Sequence, residues 1–323
     1  MLIGLAPCLA ERLLSGHPSA MEETADLFAK KKSHALYAIM AKTYFADCSK
    51  VLHWPAALGG CDFGNCYDRA AHVPAALALR AWGIPKHACR LLFTALQTMQ
   101  YCLRTGFGES SRLYGGTADN PIAGYGQGNG MAPPGFTALS TLVIKAYRRK
   151  GHGAHLTSAY TSRLFLLAAV MYVDDTDLTH WGKSQEMSDA VLVRHVQDST
   201  TDYGELAQAT GGILKQEKCF TYFLTYRFVN GIARLQHRKH LPPAPMTLPQ
   251  AEGPPVPAHI NIPQPSGGPL PVPTLEIDEH RETLGFWYAP NGDGTVHMEK
   301  WRTRAIGGWT NSARNPFRHT THG

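Results

Sequence analysis

The alternation of apolar and polar positions along the chain predicts a mixture of helices and strands. Apolar residues at a spacing of three and four predict helices over 35–44, 70–82, 86–103, 137–150, 184–209 and 298–313, and the acidic, alanine-rich stretch 21–29 is predicted to be helical as well. Apolar runs and period-two alternation predict strands over 54–62, 164–173, 220–229, 232–236 and 284–288, with a short hairpin within 107–120. The pattern therefore indicates an α+β protein.

The apolar run 164–173 ends in an unusual pair of charges. Ten apolar or aromatic residues lead directly to Asp174 and Asp175, and a short alternating run to His180 follows. This pattern predicts a buried hairpin with two carboxylates at its tip. One interpretation is a solvated Asp-Asp turn. The other is a divalent cation with oxygen ligands, such as Mg²⁺, which would offset the repulsion between the two charges.

A third carboxylate favours the metal interpretation. Small and apolar residues from Trp54 onward predict a strand that ends at Asp62. Two strands that both end in acidic residues can bring three carboxylates together.

Composition and charge narrow the class of protein without deciding it. Lys and Arg exceed Asp and Glu by 31 to 25, a mild excess that suits an anionic partner. The seven cysteines are an odd number without a Cys-x-x-Cys pair, which favours reduced thiols over a zinc site. The first residues lack a basic leader and a cleavage site, and no apolar run reaches the roughly 18–20 residues that span a bilayer. We therefore expect no signal peptide and no membrane span.

Two further stretches are open to more than one interpretation. Glycines recur at every second position in the loop 124–130, where the backbone could approach a ligand closely, but the loop matches neither the Walker nor the Rossmann phosphate pattern. The lysine triplet 30–32 is typical of a solvated surface, or of a contact with a phosphate backbone.

Taken in order, these features resemble the reverse transcriptase domain. Asp62-x4-Tyr67-Asp68-Arg69 resembles its motif A, the Gly126-Gln127-Gly128 loop that leads to Phe136 resembles motif B, and Tyr172-Val-Asp174-Asp175 resembles motif C. Thr210-Gly-Gly-x5-Lys218 is similar to motif D, and Thr283-Leu284-Gly285 to motif E. The match covers residues 62–285. The residues within its motifs are similar to those of retroelement polymerases of protist and algal genomes.

The resemblance implies a fold and a division of the chain. The expected fold is an α+β polymerase palm whose antiparallel sheet is backed by helices, with partial fingers and a short thumb-like C-terminus. We expect residual helical fingers over 1–55, the palm with motifs A to D over 56–236, a proline-rich linker or insertion over 237–275, and the motif E strand, the start of a thumb and a disordered tail over 276–323. Twelve prolines between His237 and Thr274 are the basis for the linker.

The resemblance also implies an activity, cofactors and partners. It implies an RNA-directed DNA polymerase, a nucleotidyltransferase that adds deoxynucleoside triphosphates to the 3′ end of a DNA primer on an RNA template. Two Mg²⁺ ions, with Mn²⁺ as a substitute, would grip both oxygens of the in-line displacement. Asp62 and Asp174 are the expected metal ligands, with Asp175 assisting and the Phe63 carbonyl completing a shell.

Several other residues take roles from the same resemblance. Tyr67 is expected to stand against the sugar C2′ and select deoxynucleotides, although it could equally be a core aromatic. Gln127, Tyr172 and Phe63 are expected to bind the nucleotide together with Tyr67. Lys218 resembles the motif D lysine that protonates pyrophosphate, or is an exposed lysine beside Glu217. Asp68 and Asp177 are expected to be structural or exposed. Basic residues that could follow duplex phosphates are Arg69, Arg104, Lys145, Arg148, Arg149 and Lys150.

The departures from the family leave three functions open. Only about sixty residues precede Asp62, motifs D and E are widely separated, and about forty residues follow Gly285, so the polymerase could be truncated. The alternatives to an RNA-directed DNA polymerase are an RNA-directed RNA polymerase, which Tyr67 argues against, and a non-catalytic nucleic-acid-binding palm remnant. We see no second acidic cluster for an RNase H or endonuclease domain. The sequence does not determine the oligomeric state, and it does not distinguish the cytoplasm from the nucleus as the location of the protein.

Overall fold

The computed structural model describes residues 34–117, 121–157, 164–182, 188–237, 260–265 and 267–314. The predicted helix 21–29, the lysine triplet 30–32 and the tail beyond 314 lie outside this part of the chain. The helices are Ala35–Leu52 (α1), Cys66–Arg69 (α2), His72–Ala81 (α3), Lys86–Gln97 (α4), Ala132–Arg149 (α5), Asp189–Ala209 (α6) and Thr295–Arg314 (α7), with a 3₁₀ turn at Gln216–Lys218. The strands are Ala56–Asp62 (β1), Gln100–Thr105 (β2), Gly108–Gly115 (β3), Ala154–Thr157 (β4), Leu164–Leu167 (β5), Ala169–Tyr172 (β6), Asp175–Trp181 (β7), Phe220–Leu224 (β8), Tyr226–Val229 (β9), Ile232–Leu235 (β10), Ile260–Gln264 (β11), Gly267–Val272 (β12), Thr274–Leu275 (β13), Arg281–Thr283 (β14) and Phe286–Tyr288 (β15).

A five-stranded sheet with the order β13-β8-β1-β7-β6 forms the centre of the molecule. β1 pairs antiparallel with both β7 and β8, and β6 pairs antiparallel with β7. Only the edge strand β13 runs parallel to its neighbour, β8. The predicted α+β class is confirmed, and the antiparallel sheet carries one parallel edge pair. All seven residues of β1 are buried because both faces of the sheet are covered.

Two long helices cover one face of the sheet. α6 buries a stripe that includes Leu192, Val196, Tyr203 and Ala207, at the three- and four-residue spacing of a helix packed on one side. α5 packs beside it, and the hydroxyl groups of Tyr147 and Ser199 form a hydrogen bond between the two helices. This layer packs against Ala57 and Cys61 of β1.

The opposite face is covered by α1 and by the β14–β15 hairpin. Phe45 of α1 and Tyr288 of β15 are buried together with Leu58 and Tyr222 of the sheet. Because Leu58 and Asp62 are an even number of residues apart on β1, this is also the face on which Asp62 lies. α3, α4 and the start of α5 form a separate apolar cluster around Tyr125.

The end of the proline-rich stretch differs from the prediction of a linker. β11 and β12 pair with each other, and Ile260, Ile262 and Val272 are buried in the main core. The side chain of Gln197 on α6 clamps β11, since it donates to the carbonyl of Asn261 over 2.9 Å and accepts from its N–H over 2.8 Å. Part of this stretch is therefore core, and residues 238–259 lie outside the described part.

Several predicted elements have different bounds in the structure. The helix predicted over 86–103 ends at Gln97, and Gln100–Thr105 is instead the first strand of a hairpin. α5 begins five residues before the predicted start at 137. The run 164–173 is two strands separated at Ala168. Leu284 and Gly285, predicted within a strand, form the turn of the β14–β15 hairpin, with φ of 54° and 78°.

None of the described helices is long and apolar enough to cross a membrane.

Candidate active site

Asp62 and Asp175 face each other across two neighbouring strands. Asp62 is the last residue of β1 and Asp175 the first of β7, and the antiparallel register pairs them directly. The side chains of directly paired residues lie on the same face of a sheet. The fold therefore brings these two acids together where β1 ends and β7 begins, on the face of the sheet that also carries α1.

Asp174 sits in the two-residue turn that joins β6 to β7. The preceding residue, Val173, has a φ of 60°, a left-handed conformation that is unusual for a β-branched side chain. This tight turn holds Asp174 beside Asp175. The thiol of Cys66, at the start of α2, lies beside the Asp174 carboxylate.

Burial and the neighbouring carboxylates raise the pKa values of Asp174 and Asp175. Burial is the largest cause of the raised pKa of Asp174, and repulsion from Asp62 adds to it. Burial and then repulsion from Asp174, Asp177 and Asp62 raise the pKa of Asp175 to about 6. The pKa of the Cys66 thiol is raised to about 12 by burial and then by the charge of Asp174. The cluster thus has more negative charge than its neighbours neutralise.

Lys218 is the cation closest to this cluster. Its Nζ donates to Oδ2 of Asp62 over 2.9 Å, and this hydrogen bond is the main cause of the raised pKa of the lysine. The side chain is 52% exposed, so the ammonium group borders both the carboxylate and the solvent. The Asp62 carbonyl also accepts from the N–H of Lys215 over 2.9 Å, which fixes the end of β1 to the segment before Lys218.

A second lysine, which the sequence analysis did not single out, lies beneath the cluster. Lys42 of α1 is 1% exposed and its Nζ lies 2.8 Å from Oδ2 of Asp177, two residues beyond Asp175. Nζ also donates to Oγ1 of Thr283 over 3.1 Å and lies 5.2 Å from the centre of the Tyr288 ring. Asp177 is therefore structural and buried, as one of the two sequence interpretations proposed.

Lys42 had a detectable sequence signal. It is a lone lysine on the apolar face of α1, in step with the buried Ala38, Phe45, Ala46 and Ser49. A lysine on such a face requires a buried acidic partner.

A cleft of about 390 Å³ opens over the carboxylates. Asp62, Asp175 and Lys218 line one side, and the β14–β15 hairpin lines the other through Arg281, Thr283, Leu284 and Trp287. Arg281 is held over the ring of Phe220 at 5.6 Å. The cleft therefore combines carboxylates with cationic side chains that could receive a phosphorylated ligand.

The backbone of the glycine-rich loop 124–130 is hydrogen-bonded to Tyr67 and Asp68. The N–H of Gln127 donates to Oδ1 of Asp68 over 2.9 Å, and the N–H of Tyr125 donates to the Tyr67 carbonyl over 2.7 Å. At Gly124, whose φ is 77°, a β-carbon would lie 2.4 Å from the Tyr67 and Asp68 backbone, so only glycine fits. Asp68 thus has a structural role, which was one of its two expected roles.

The residues predicted to contact the nucleotide differ in how far they are exposed to solvent. Tyr67 is partly buried and packs edge-on against Phe136 at 5.9 Å, while Gln127 is exposed at the loop tip. Tyr172 is partly exposed at the end of β6. The Phe63 ring is only 4% exposed and packs against Phe136, so its backbone alone is left to serve the site.

The predicted phosphate-contacting residues are spread over the surface. Arg69, Arg148 and Arg149 are exposed, Arg104 lies 3.7 Å from Glu109, and Lys150 forms an ion pair with Asp202. Lys145 is partly buried.

The donor set at the carboxylate cluster suits a hard cation, since three carboxylates supply the oxygen ligands that Mg²⁺ favours. In the present side-chain conformations, however, no group of three or more His, Cys, Asp or Glu residues within the described ranges is arranged to hold a metal ion. The ammonium of Lys218 already takes Oδ2 of Asp62. A bound cation would therefore compete with Lys218 for this oxygen.

No protein-family profile and no curated protein sequence matches the chain. Among solved structures, the chain is similar to the apo telomerase of Candida tropicalis truncated from its C-terminal domain, with 12% identity and a TM-score of 0.43 over 69% of this chain and 40% of the telomerase. A second apo structure of the same telomerase has 11% identity and a TM-score of 0.43 over 72% of this chain and 39% of the telomerase. The telomerase of Candida albicans, in complex with a TWJ fragment of telomeric RNA, has 11% identity and a TM-score of 0.38 over 68% of this chain and 34% of the telomerase.

The chain thus spans 34–40% of the length of these telomerase chains. Similarity at this level does not assign an activity, a metal or a partner to the chain.

Proposed function

We propose that the chain is the palm of an RNA-directed DNA polymerase of retroelement type, which adds deoxynucleotides to a primer 3′ end on an RNA template. The observation that carries the proposal is the direct pairing of Asp62 with Asp175 at the ends of two adjacent strands, with Asp174 in the adjoining turn. These are the acids of motifs A and C in the order that the sequence predicts.

Each side of the cleft has a role in this reaction. Asp62, Asp174 and Asp175 are the residues that would hold two divalent ions, which when bound activate the primer 3′-hydroxyl and neutralise the triphosphate. Arg281 and Lys218 supply positive charge at the cleft wall, where a triphosphate or a primer phosphate would lie. Lys218, once released from Asp62, is positioned to donate a proton to pyrophosphate.

The motif B loop and Tyr67 form the proposed nucleotide pocket. Because the loop is hydrogen-bonded to Tyr67 and Asp68, the backbone of Gln127 is held close to the segment that carries the Tyr67 ring. An aromatic ring at this place would collide with a ribose 2′-hydroxyl, so we assign the pocket to deoxynucleotides.

The test is primer extension by the purified chain on an RNA template with a DNA primer, Mg²⁺ and deoxynucleotides. Asp62→Asn and Asp174→Asn should each lower the extension rate by about 1000-fold or more, because each removes a charge that stabilises the transition state by several kcal/mol. The matched control is Asp198→Asn, an exposed carboxylate on α6, which should leave the rate unchanged.

Three outcomes would contradict the proposal. Extension that survives Asp174→Asn would exclude the carboxylate site. Equal use of ribonucleotides would indicate an RNA-directed RNA polymerase. A folded chain that binds primer-template and extends nothing would indicate a nucleic-acid-binding palm remnant.

A further inference from the structure

The β9–β10 hairpin places two arginines directly opposite each other. The antiparallel register pairs Arg227 with Arg234, and both side chains are exposed. Like charges at directly opposed positions destabilise a two-stranded ribbon. Within the described ranges, no carboxylate lies within ion-pair distance of either guanidinium. The hairpin therefore lacks the negative partner that would make this arrangement favourable.

The hairpin is nevertheless firmly anchored. The Tyr226 hydroxyl forms a 2.6 Å hydrogen bond with the Ser49 hydroxyl of α1, and the N–H of Gln236 donates to the Thr225 carbonyl over 2.9 Å. The turn is Asn230-Gly231, with φ of 53° and 78°, the left-handed values of a tight hairpin turn. The two guanidiniums are thus held on a defined support.

The arginines line a cleft of about 450 Å³ that is separate from the carboxylate cleft. Its wall includes Lys50, Tyr226, Arg227, Arg234, His237 and Asn291. The acidic groups near it are already engaged, since Asp47 lies 3.1 Å from Lys50 and Asp278 lies 3.4 Å from His237. What remains unneutralised is the positive charge of the two arginines, so the ligand that fits is an anion with at least two charged groups.

The position of the cleft favours a nucleic-acid backbone. Lys50 belongs to α1 and Asn291 follows β15, so the cleft lies on the side of the sheet that carries Asp62 and Asp175. β8 pairs Leu224 with Ala56, at the opposite end of β1 from Asp62, and the hairpin continues from there. Six residue steps separate Asp62 from Ala56, or about 20 Å, and Arg227 lies three residues beyond Leu224. At about 3.4 Å per base pair, the start of the hairpin is therefore about six base pairs from Asp62.

We infer that Arg227 and Arg234 form a second binding site for the phosphate backbone of duplex nucleic acid, about six or more base pairs from the primer 3′ end. Each guanidinium can hold one phosphate through two parallel hydrogen bonds. The inference rests on the proposed function for the position of the primer 3′ end. The ligand chemistry itself follows from the hairpin.

The experiment measures binding of labelled RNA–DNA hairpins by fluorescence anisotropy, without nucleotides or metal. One hairpin has a stem of about 12 base pairs, which reaches the arginines, and the other a stem of about 4, which does not. Arg227→Gln with Arg234→Gln should weaken binding of the long stem by about tenfold at low salt and flatten the slope of log affinity against log salt by about 2. Binding of the short stem should equal that of the wild type.

Two further variants separate this result from general charge loss and from misfolding. Arg80→Gln with Arg90→Gln removes the same charge from exposed positions on α3 and α4 and should bind both stems as the wild type does. Arg234→Glu places an opposite charge beside Arg227, which should raise the melting temperature of the chain while the affinity for the long stem still falls.

The inference is overturned if the double glutamine variant binds the long stem like its control. It is also overturned if both stems lose affinity equally, or if the arginines prove to be needed only for binding a poly-glutamate peptide. A chain that extends no primer but shows the expected stem-length dependence would contradict the proposed activity and leave this site in place.

Discussion

Asp175 lies half-buried among like charges, and this has a consequence for stability. Its pKa rises from an ordinary value near 4 to about 6, first because of burial and then because of the neighbouring carboxylates. Between these two values the folded chain holds a proton that the unfolded chain has lost. Stability therefore falls as the pH rises through this window, and the destabilisation is complete above about pH 6.

We predict that Asp175→Asn stabilises the fold at pH 8. The amide keeps the shape of the carboxyl group and removes the buried charge, so the melting temperature should rise, and the gain should shrink as the pH is lowered to 5. Thermal unfolding at several pH values measures this.

The control for this prediction is Asp198→Asn, which changes an exposed carboxylate and should leave the melting temperature at pH 8 unchanged. A melting temperature for Asp175→Asn that is unchanged or lower at pH 8 would contradict the crowding of charge described for the cluster.

The central strand β1 carries two adjacent glycines with opposite surroundings. A β-carbon at Gly60 would lie 2.4 Å from the ring of Phe220, whereas one at Gly59 would lie 3.7 Å from Nε2 of His180. Gly60 faces the cleft, and the Phe220 ring there supports Arg281.

We predict that Gly60→Ala destabilises the fold by about 1–3 kcal/mol, because the ring of Phe220 must move to admit the methyl group. Gly59→Ala, its neighbour on the other face, should change stability by less than about 1 kcal/mol, because the methyl group makes ordinary contacts. Urea unfolding of the two variants gives the comparison, and equal free energies of unfolding would contradict the packing at Phe220.

The sequence predicted those elements in which local signals and burial agree. β1 and α6 have apolar patterns, β7 has a short alternating run after an apolar strand, and the Asn230-Gly231 turn has its own sequence signature. The helix over 86–103 was extended too far because apolar residues beyond Gln97 fit both a period of 3.6 and a period of 2. β11 was missed because prolines suggested a linker, although Ile260 and Ile262 alternate as strand residues do.

Only those residues of the candidate site that belong to sequence motifs could be predicted. The three acids and Lys218 were named from their order along the chain, and the structure brings them together. The pairing of Lys42 with Asp177 spans 135 positions of sequence and depends on how α1 packs across the sheet, which no local pattern contains.

At the scale of the whole molecule, Lys42 connects three parts of the fold. It belongs to α1, pairs with Asp177 of the central sheet and donates to Thr283 of the β14–β15 hairpin. The side chains of both charged partners are almost fully buried, at 1% and 8% exposure. A buried ion pair adds little net stability, but the loss of one partner leaves an uncompensated charge.

We predict that Lys42→Met lowers the free energy of unfolding by about 3–5 kcal/mol, because Asp177 then stays buried without its cation. Lys42→Met with Asp177→Leu should recover most of this loss, since two apolar side chains of similar size replace the pair. Urea unfolding measures both variants.

Lys86→Met, at an exposed position at the start of α4, is the control and should be nearly neutral. A double variant that is as unstable as the single one would show that Lys42 acts through Thr283 and Tyr288 instead of through Asp177.

The direct pairing of Asp62 with Asp175 also determines which parts of the site can move. Their backbone separation is a strand-to-strand spacing inside a sheet covered on both faces, so neither residue can shift without breaking the ladder between β1 and β7. The backbone of these two residues is therefore the fixed part of the site. Adjustment to a ligand must come from the groups around them: the turn at Val173, the side chain of Lys218 and the β14–β15 hairpin.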